Sequence, residues 1–93
     1  MRMIYKYPLT LMSGKWIELT IPGESYRVLT FQEQEGIPYV WIEFEMSSTE
    51  TLTVNFFTMW TGQQFAVEPT HEYAGSLQVG AIVCHYYIGR WHE

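Results

Sequence analysis

Residues 25–46 read SYRVLTFQEQ (25–34), EGIP (35–38) and YVWIEFEM (39–46), and this stretch decides the fold. Two runs rich in β-branched and aromatic residues flank a break at Gly36-Ile37-Pro38, the signature of a β-hairpin. With Gly36 and Ile37 as the turn and Glu35 opposite Pro38, Leu29 stands opposite Phe44, Phe31 opposite Ile42 and Glu33 opposite Val40. Side chains alternate across a strand. Leu29, Phe31, Val40, Ile42 and Phe44 then form a core face. The opposite face carries Tyr26, Val28, Thr30, Gln32, Gln34, Tyr39, Trp41, Glu43 and Glu45. It is polar apart from the Trp at its middle.

The chain outside the hairpin repeats this short-strand pattern. Residues 3–7 (MIYKY) and 16–21 (WIELTI) are strand candidates, the first ended by Pro8 and the second by the Pro22-Gly23 turn. Thr51 to Trp60 is the clearest single strand. Leu52, Val54, Phe56, Thr58 and Trp60 point one way, and Asn55, Phe57 and Met59 point the other. Residues 63–69 read as a short strand or an ordered loop, and residues 72–79 and 81–88 as the closing strands. No stretch has helical periodicity. About seven short, mostly antiparallel strands in 93 residues make an all-β fold, a small β-sandwich or partly open barrel, with residues 1–93 as one domain.

Composition narrows the chemistry. Net charge is −5, with only five Lys plus Arg. That argues against tracking a nucleic-acid backbone or an anionic membrane. All ten acidic residues are Glu, which excludes Asp-based catalysis and EF-hand-like loops. A lone cysteine, Cys84, forms no intramolecular disulfide and suits a reducing cytoplasm. The first residues, MRMIYKYPLT, lack the apolar run of a signal peptide. Aromatics are 17 % of the chain, more than a core this small needs, so some rings are expected at an oligomer interface or a ligand.

Trp41, with Tyr39 beside it and Gln32 across from it, makes an aromatic platform edged by amide and carboxylate groups, suited to stacking a flat ring. The plainer reading is that another strand or subunit covers it. Alternation along the last strand puts Ile82, Cys84, Tyr86 and Ile88 inward and Val83, His85 and Tyr87 outward. Cys84 and His85 therefore point apart and make a poor nucleophile and base. His71, His85 and His92 have no metal-ligand spacing, and no phosphate-binding loop or nucleophile elbow is present. No metal or other cofactor is expected. Glu33, Glu35, Glu43 and Glu45 line the hairpin on different faces. They read as a solvated acidic rim that guards a sheet edge, or as a face for a basic protein partner.

The order of several short motifs resembles a family of small phage- and prophage-encoded proteins of unknown function. These are Tyr5-Lys6-Tyr7, Ile17-Glu18-Leu19, Pro22-Gly23, Gln34-Glu35-Gly36-Ile37-Pro38, Val40-Trp41, Thr61-Gly62, Tyr73-Ala74-Gly75 and His85-Tyr86-Tyr87. The chain departs from that pattern at Cys84. The resemblance implies a phage origin, a cytoplasmic place in the infected bacterium and a non-catalytic accessory role, with no catalytic residues to carry over. Three functional expectations follow. The first is an oligomeric sponge, non-catalytic, that counters host defence by holding a small nucleotide-derived signal. Tyr39, Trp41, His85, Tyr87 and Gln32 would meet the base, and Arg27 or Arg90 the phosphate. The second is a stoichiometric inhibitor of a host defence protein that uses Glu33, Glu35, Glu43 and Glu45, in the manner of an anti-CRISPR protein. The third is a small hydrolase built on Glu and His. A structural phage component is a fourth, blander possibility.

Overall fold

The computed structural model describes residues 1–65 and 71–89. Its strands are β1 (Arg2–Pro8), β2 (Lys15–Ile21), β3 (Gly23–Gln34), β4 (Ile37–Met46), β5 (Leu52–Trp60), β6 (Glu72–Val79) and β7 (Ile82–Gly89), with no helix among the described residues. They form two antiparallel sheets, one ordered β1-β4-β3 and the other β2-β5-β7-β6. The sheets face each other as a sandwich, and its extents, 41 × 35 × 15 Å, are those of a thin slab. Residues 63–65 carry no strand. The remainder of the 63–69 segment lies outside the described residues.

β4 is the middle strand of its sheet and alternates buried and half-buried along most of its length. Val40, Ile42 and Phe44 enter the core from it. They meet Leu19 and Ile21 of β2, Val54 and Phe56 of β5, and Cys84 and Tyr86 of β7. The inward and outward sides of β5 and β7 fall as their alternation indicates. Outward-pointing Asn55 and Met59 are nevertheless buried, since other parts of the chain fold over that face.

The hairpin differs from its sequence reading in two ways. Glu35 and Gly36, not Gly36 and Ile37, form the turn, with φ of 54° and 81°. A two-residue hairpin turn with both central residues at positive φ matches strand twist. Gly36 takes that conformation readily, whereas β-branched Ile37 would be strained in it. Gln34 therefore pairs with Ile37 and Glu33 with Pro38. Glu33 Oε1 accepts a hydrogen bond from the Gly36 amide (2.5 Å). The second difference is a bulge between Val28 and Thr30. Beyond it the alternation inverts. Val28 stands opposite Ile42 and Tyr26 opposite Phe44, on the inner side. Leu29, assigned to the core face by alternation alone, is 39 % exposed.

Phe31 stays inward and joins the sheets. Its ring stacks on Tyr86, centroids 5.1 Å apart and planes at 2°, and meets Phe56 edge-on at 6.1 Å. It lies over Gly75 of β6, where an added Cβ would stand 2.7 Å from two ring carbons. The segment between β1 and β2 crosses from one sheet to the other and is held by side chains of the second. The Tyr86 hydroxyl donates to the Thr10 carbonyl (3.2 Å) and Trp60 Nε1 donates to the Leu11 carbonyl (2.6 Å).

Gly75→Ala is expected to destabilise the fold by about 1–3 kcal/mol, because the Phe31 ring is wedged against Tyr86 and overpacking strains it. Ser76→Ala, at the exposed neighbour, should stay within about 0.5 kcal/mol. Urea unfolding of the two variants measures the difference.

Candidate functional site

The outer face of the β1-β4-β3 sheet is built from three strands. β4 contributes Tyr39, Trp41, Glu43 and Glu45. β1, paired as Lys6 with Trp41, Ile4 with Glu43 and Arg2 with Glu45, contributes Arg2, Ile4 and Lys6. β3 contributes Thr30 opposite Trp41, Gln32 opposite Tyr39, and Arg27 opposite Glu43. Gln32 is thus Tyr39's direct neighbour, and Thr30 takes the place beside Trp41 that the simpler register gave to Gln32. Arg27 reaches this face only through the bulge. Strict alternation from Phe31 would have turned it inward.

Trp41 sits at the centre of this face, half-buried by its neighbours. Tyr39 meets it edge-on at 6.1 Å. The Lys6 ammonium lies 4.7 Å from the Tyr39 ring centroid, a cation–π contact, and donates to Gln34 Oε1 at 2.6 Å. An open hollow of about 530 Å³ beside Tyr39 is lined by Lys6, Gln34, Glu35 and Tyr39 itself. Above Trp41, Glu43 bridges all three strands. Its Oε2 accepts from Arg27 Nη2 (2.6 Å) and its Oε1 from Arg2 Nη1 (3.2 Å). The Arg27 hydrogen bond leads the effects that hold the Glu43 carboxyl below its ordinary pKa. Glu45 lies 3.7 Å from Arg2 and 2.6 Å from the Met1 amino group.

His85 and Tyr87 occupy the outer face of the other sheet. They stand in β7 opposite Met59 and Phe57. The thickness of the sandwich separates them from Trp41, so one protomer does not bring Tyr39, Trp41, His85 and Tyr87 into a single pocket. Their own face is a row of rings. Trp16 packs on Phe57 (4.9 Å) and His71 (5.1 Å), Phe65 on Phe57 (6.3 Å) and Tyr87 (5.4 Å), and Tyr73 on Tyr87 (5.3 Å). Phe65 and His71 come from the connection between β5 and β6, so the chain covers part of this face with its own rings. Both ring nitrogens of His85 are in hydrogen-bond contact, Nε2 with Thr61 Oγ1 (2.7 Å) and Nδ1 with the Tyr73 hydroxyl (3.2 Å). Arg90 and His92 lie outside the described residues.

The four hairpin carboxylates divide by environment. Glu43 and Glu45 face arginine, Glu33 closes the turn, and Glu35 is exposed in it. Cys84 is fully buried, and burial raises its thiol pKa, opposed by hydrogen bonds with Tyr86 and Trp60. Among the described residues no group of three His, Cys, Asp or Glu is placed to hold a metal ion, and no helix is long and apolar enough to cross a membrane. Sequence reasoning missed Arg2, Ile4 and Lys6 as parts of the Trp41 face. The alternation of β1 shows that these three share a side, but it carries no sign that β1 pairs with β4.

A family model described as a domain of unknown function (DUF7352) matches residues 1–92. Comparison with curated proteins and with solved structures finds no match.

The Glu43 bridge sets a pH dependence. A carboxyl whose folded pKa lies below its unfolded one stabilises the fold fully above the unfolded value, here the ordinary 4.5. That contribution fades as pH falls through the folded pKa. The stability difference between the parent protein and Glu43→Gln should therefore be largest at neutral pH and shrink below about pH 4. Added salt should reduce it as well. Thermal unfolding across that pH range reads both effects.

Proposed function

The chain belongs to the DUF7352 family of domains of unknown function, and we propose that it is a non-catalytic binding protein for a small, anionic, ring-bearing ligand of the nucleotide kind. The ligand's ring stacks on Trp41 and Tyr39, and its anionic group meets Lys6 and Arg27. The carrying observation is where the positive charge lies. In a chain of net charge −5 with five Lys plus Arg, three of those five, Arg2, Lys6 and Arg27, surround the Trp41–Tyr39 platform. Stacking on a ring gives affinity for any flat base, and guanidinium and ammonium groups supply the donors an anion needs. Gln32 and Thr30 offer hydrogen bonds at the ring's edge.

A single sheet face encloses a ligand on one side only. The reading therefore includes a homo-oligomer in which a second copy closes over the platform. It also includes the setting that the motif resemblance implies: a phage protein in the cytoplasm of an infected bacterium, holding a nucleotide-derived defence signal. The inhibitor alternative loses support from Glu43 and Glu45, whose charges are already met by arginine, and would rest on Glu33 and Glu35.

Native mass spectrometry of the protein mixed with a panel of mono- and cyclic nucleotides tests the proposal. Retained nucleotide is expected, with affinity reduced at least about tenfold in Trp41→Ala and weakened by salt, while circular dichroism shows that the variant stays folded. A protein that takes up no nucleotide overturns the reading. If charge reversal at Glu33 and Glu35 then abolishes binding to a host protein, the inhibitor replaces it.

A further inference from the structure

Four strands stand at the edges of the two sheets, β1 and β3 in one, β2 and β6 in the other. An open edge presents backbone N–H and C=O groups to any chain that can pair with them, and charges, prolines and bulges guard against this. β1 carries Lys6 and closes on Pro8. The ladders of β3 and β6 are each broken by a bulge. β2 has no such break. Its seven residues, Lys15–Ile21, pair with β5 in one uninterrupted register and include no proline.

β5 shows which backbone groups of β2 face outward. Successive residues of a strand turn their N–H and C=O to opposite edges. The Trp60 amide donates to Ser13 Oγ (3.0 Å) and the Thr58 carbonyl accepts from the Gly14 amide (2.7 Å), so the even-numbered residues of β5 turn to the β2 side. The Thr61 amide turns the other way, to the Val83 carbonyl of β7 (3.1 Å). Leu52, Val54, Phe56 and Thr58 pair with Ile21, Leu19, Ile17 and Lys15, and these four residues of β2 direct their backbone groups to β5. Glu18 and Thr20 therefore turn theirs to the open edge, where no backbone hydrogen bond meets them among the described residues. Both residues are exposed, and Glu18 has no ion pair among the described residues.

The carboxylate at the middle of this edge decides what fits it. A second copy pairing antiparallel about a two-fold axis brings Glu18 opposite its own counterpart or diagonal to it, and each copy carries a net charge of −5. Like charges across a strand pair destabilise it, whereas opposite charges stabilise it. We infer that the β2 edge takes an extended basic segment of a partner protein as an added antiparallel strand, with a Lys or Arg opposite Glu18. Main-chain hydrogen bonds to Glu18 and Thr20 hold the added strand, and the cross-strand charge pair selects it. β-branched residues on either side of the cation lie along the inner row of Ile17, Leu19 and Ile21. This edge belongs to the sheet that does not carry the Trp41 platform.

Titration of ¹⁵N-labelled protein with the capped peptide acetyl-TTVKVTT-amide tests the inference. Saturable shifts at the amides of Glu18 and Thr20 are expected. The same peptide with Glu in place of its Lys should bind about tenfold more weakly. Methylation of the peptide's Lys backbone nitrogen, which blocks strand pairing, should abolish binding. Glu18→Lys, at an exposed position, should reverse the order of the two peptides although the chain stays net negative, a result that unspecific attraction does not produce. Trp41→Ala should bind the Lys peptide as the parent protein does, which separates this edge from the nucleotide reading. Absence of saturable shifts, equal binding of the Lys and Glu peptides, undiminished binding of the methylated peptide, or an unreversed order in Glu18→Lys would overturn it. So would concentration-dependent shifts at Glu18 and Thr20 in the protein alone, which would make the occupant a second copy.

Discussion

The stack of Phe31 on Tyr86 is a contact by which the two sheets hold one another. A sheet with one apolar face gains stability only when a second layer removes that face from water. Here each sheet sends a large ring to the other's inner side, and such rings bury about 150–250 Å² each. Tyr86 adds a polar link. Its buried hydroxyl, whose pKa burial raises, donates to the Thr10 carbonyl and so anchors the first crossing between the sheets. Gly75 leaves the room that Phe31 needs.

That contact depends in turn on the hairpin's register. The two positive-φ residues Glu35 and Gly36 set the pairing so that Phe31 stands opposite Val40 on the inner side. The bulge between Val28 and Thr30 then reverses the alternation. One irregularity moves Leu29 out of the core, brings Val28 in, and swings Arg27 onto the Trp41 face.

The candidate site was legible in part. Alternation along the hairpin places Tyr39 and Trp41 together on the outer side, and alternation along the last strand places His85 and Tyr87 outward. Each statement concerns one strand and holds. Joining the two pairs required knowing which sheet each strand enters, and β4 and β7 lie in different sheets. The cations near Trp41 were hidden for a related reason. Arg2 and Lys6 are more than thirty residues away in the chain, and their approach depends on the pairing of β1 with β4.

The sequence by itself determined the all-β class, the strand positions and the side that most side chains take. These are local properties: a period of two, β-branched and aromatic runs, and Gly or Pro at the breaks. It also determined the chemistry within reach, a chain with Glu as its only acid and few cations. The tertiary structure alone decided the strand order, the bulges and the grouping of side chains on each face. Pairing between distant strands is selected by how well whole faces bury against each other, and a period-two pattern fits many partners equally well. A bulge leaves no mark on that pattern until the partner strand is in place.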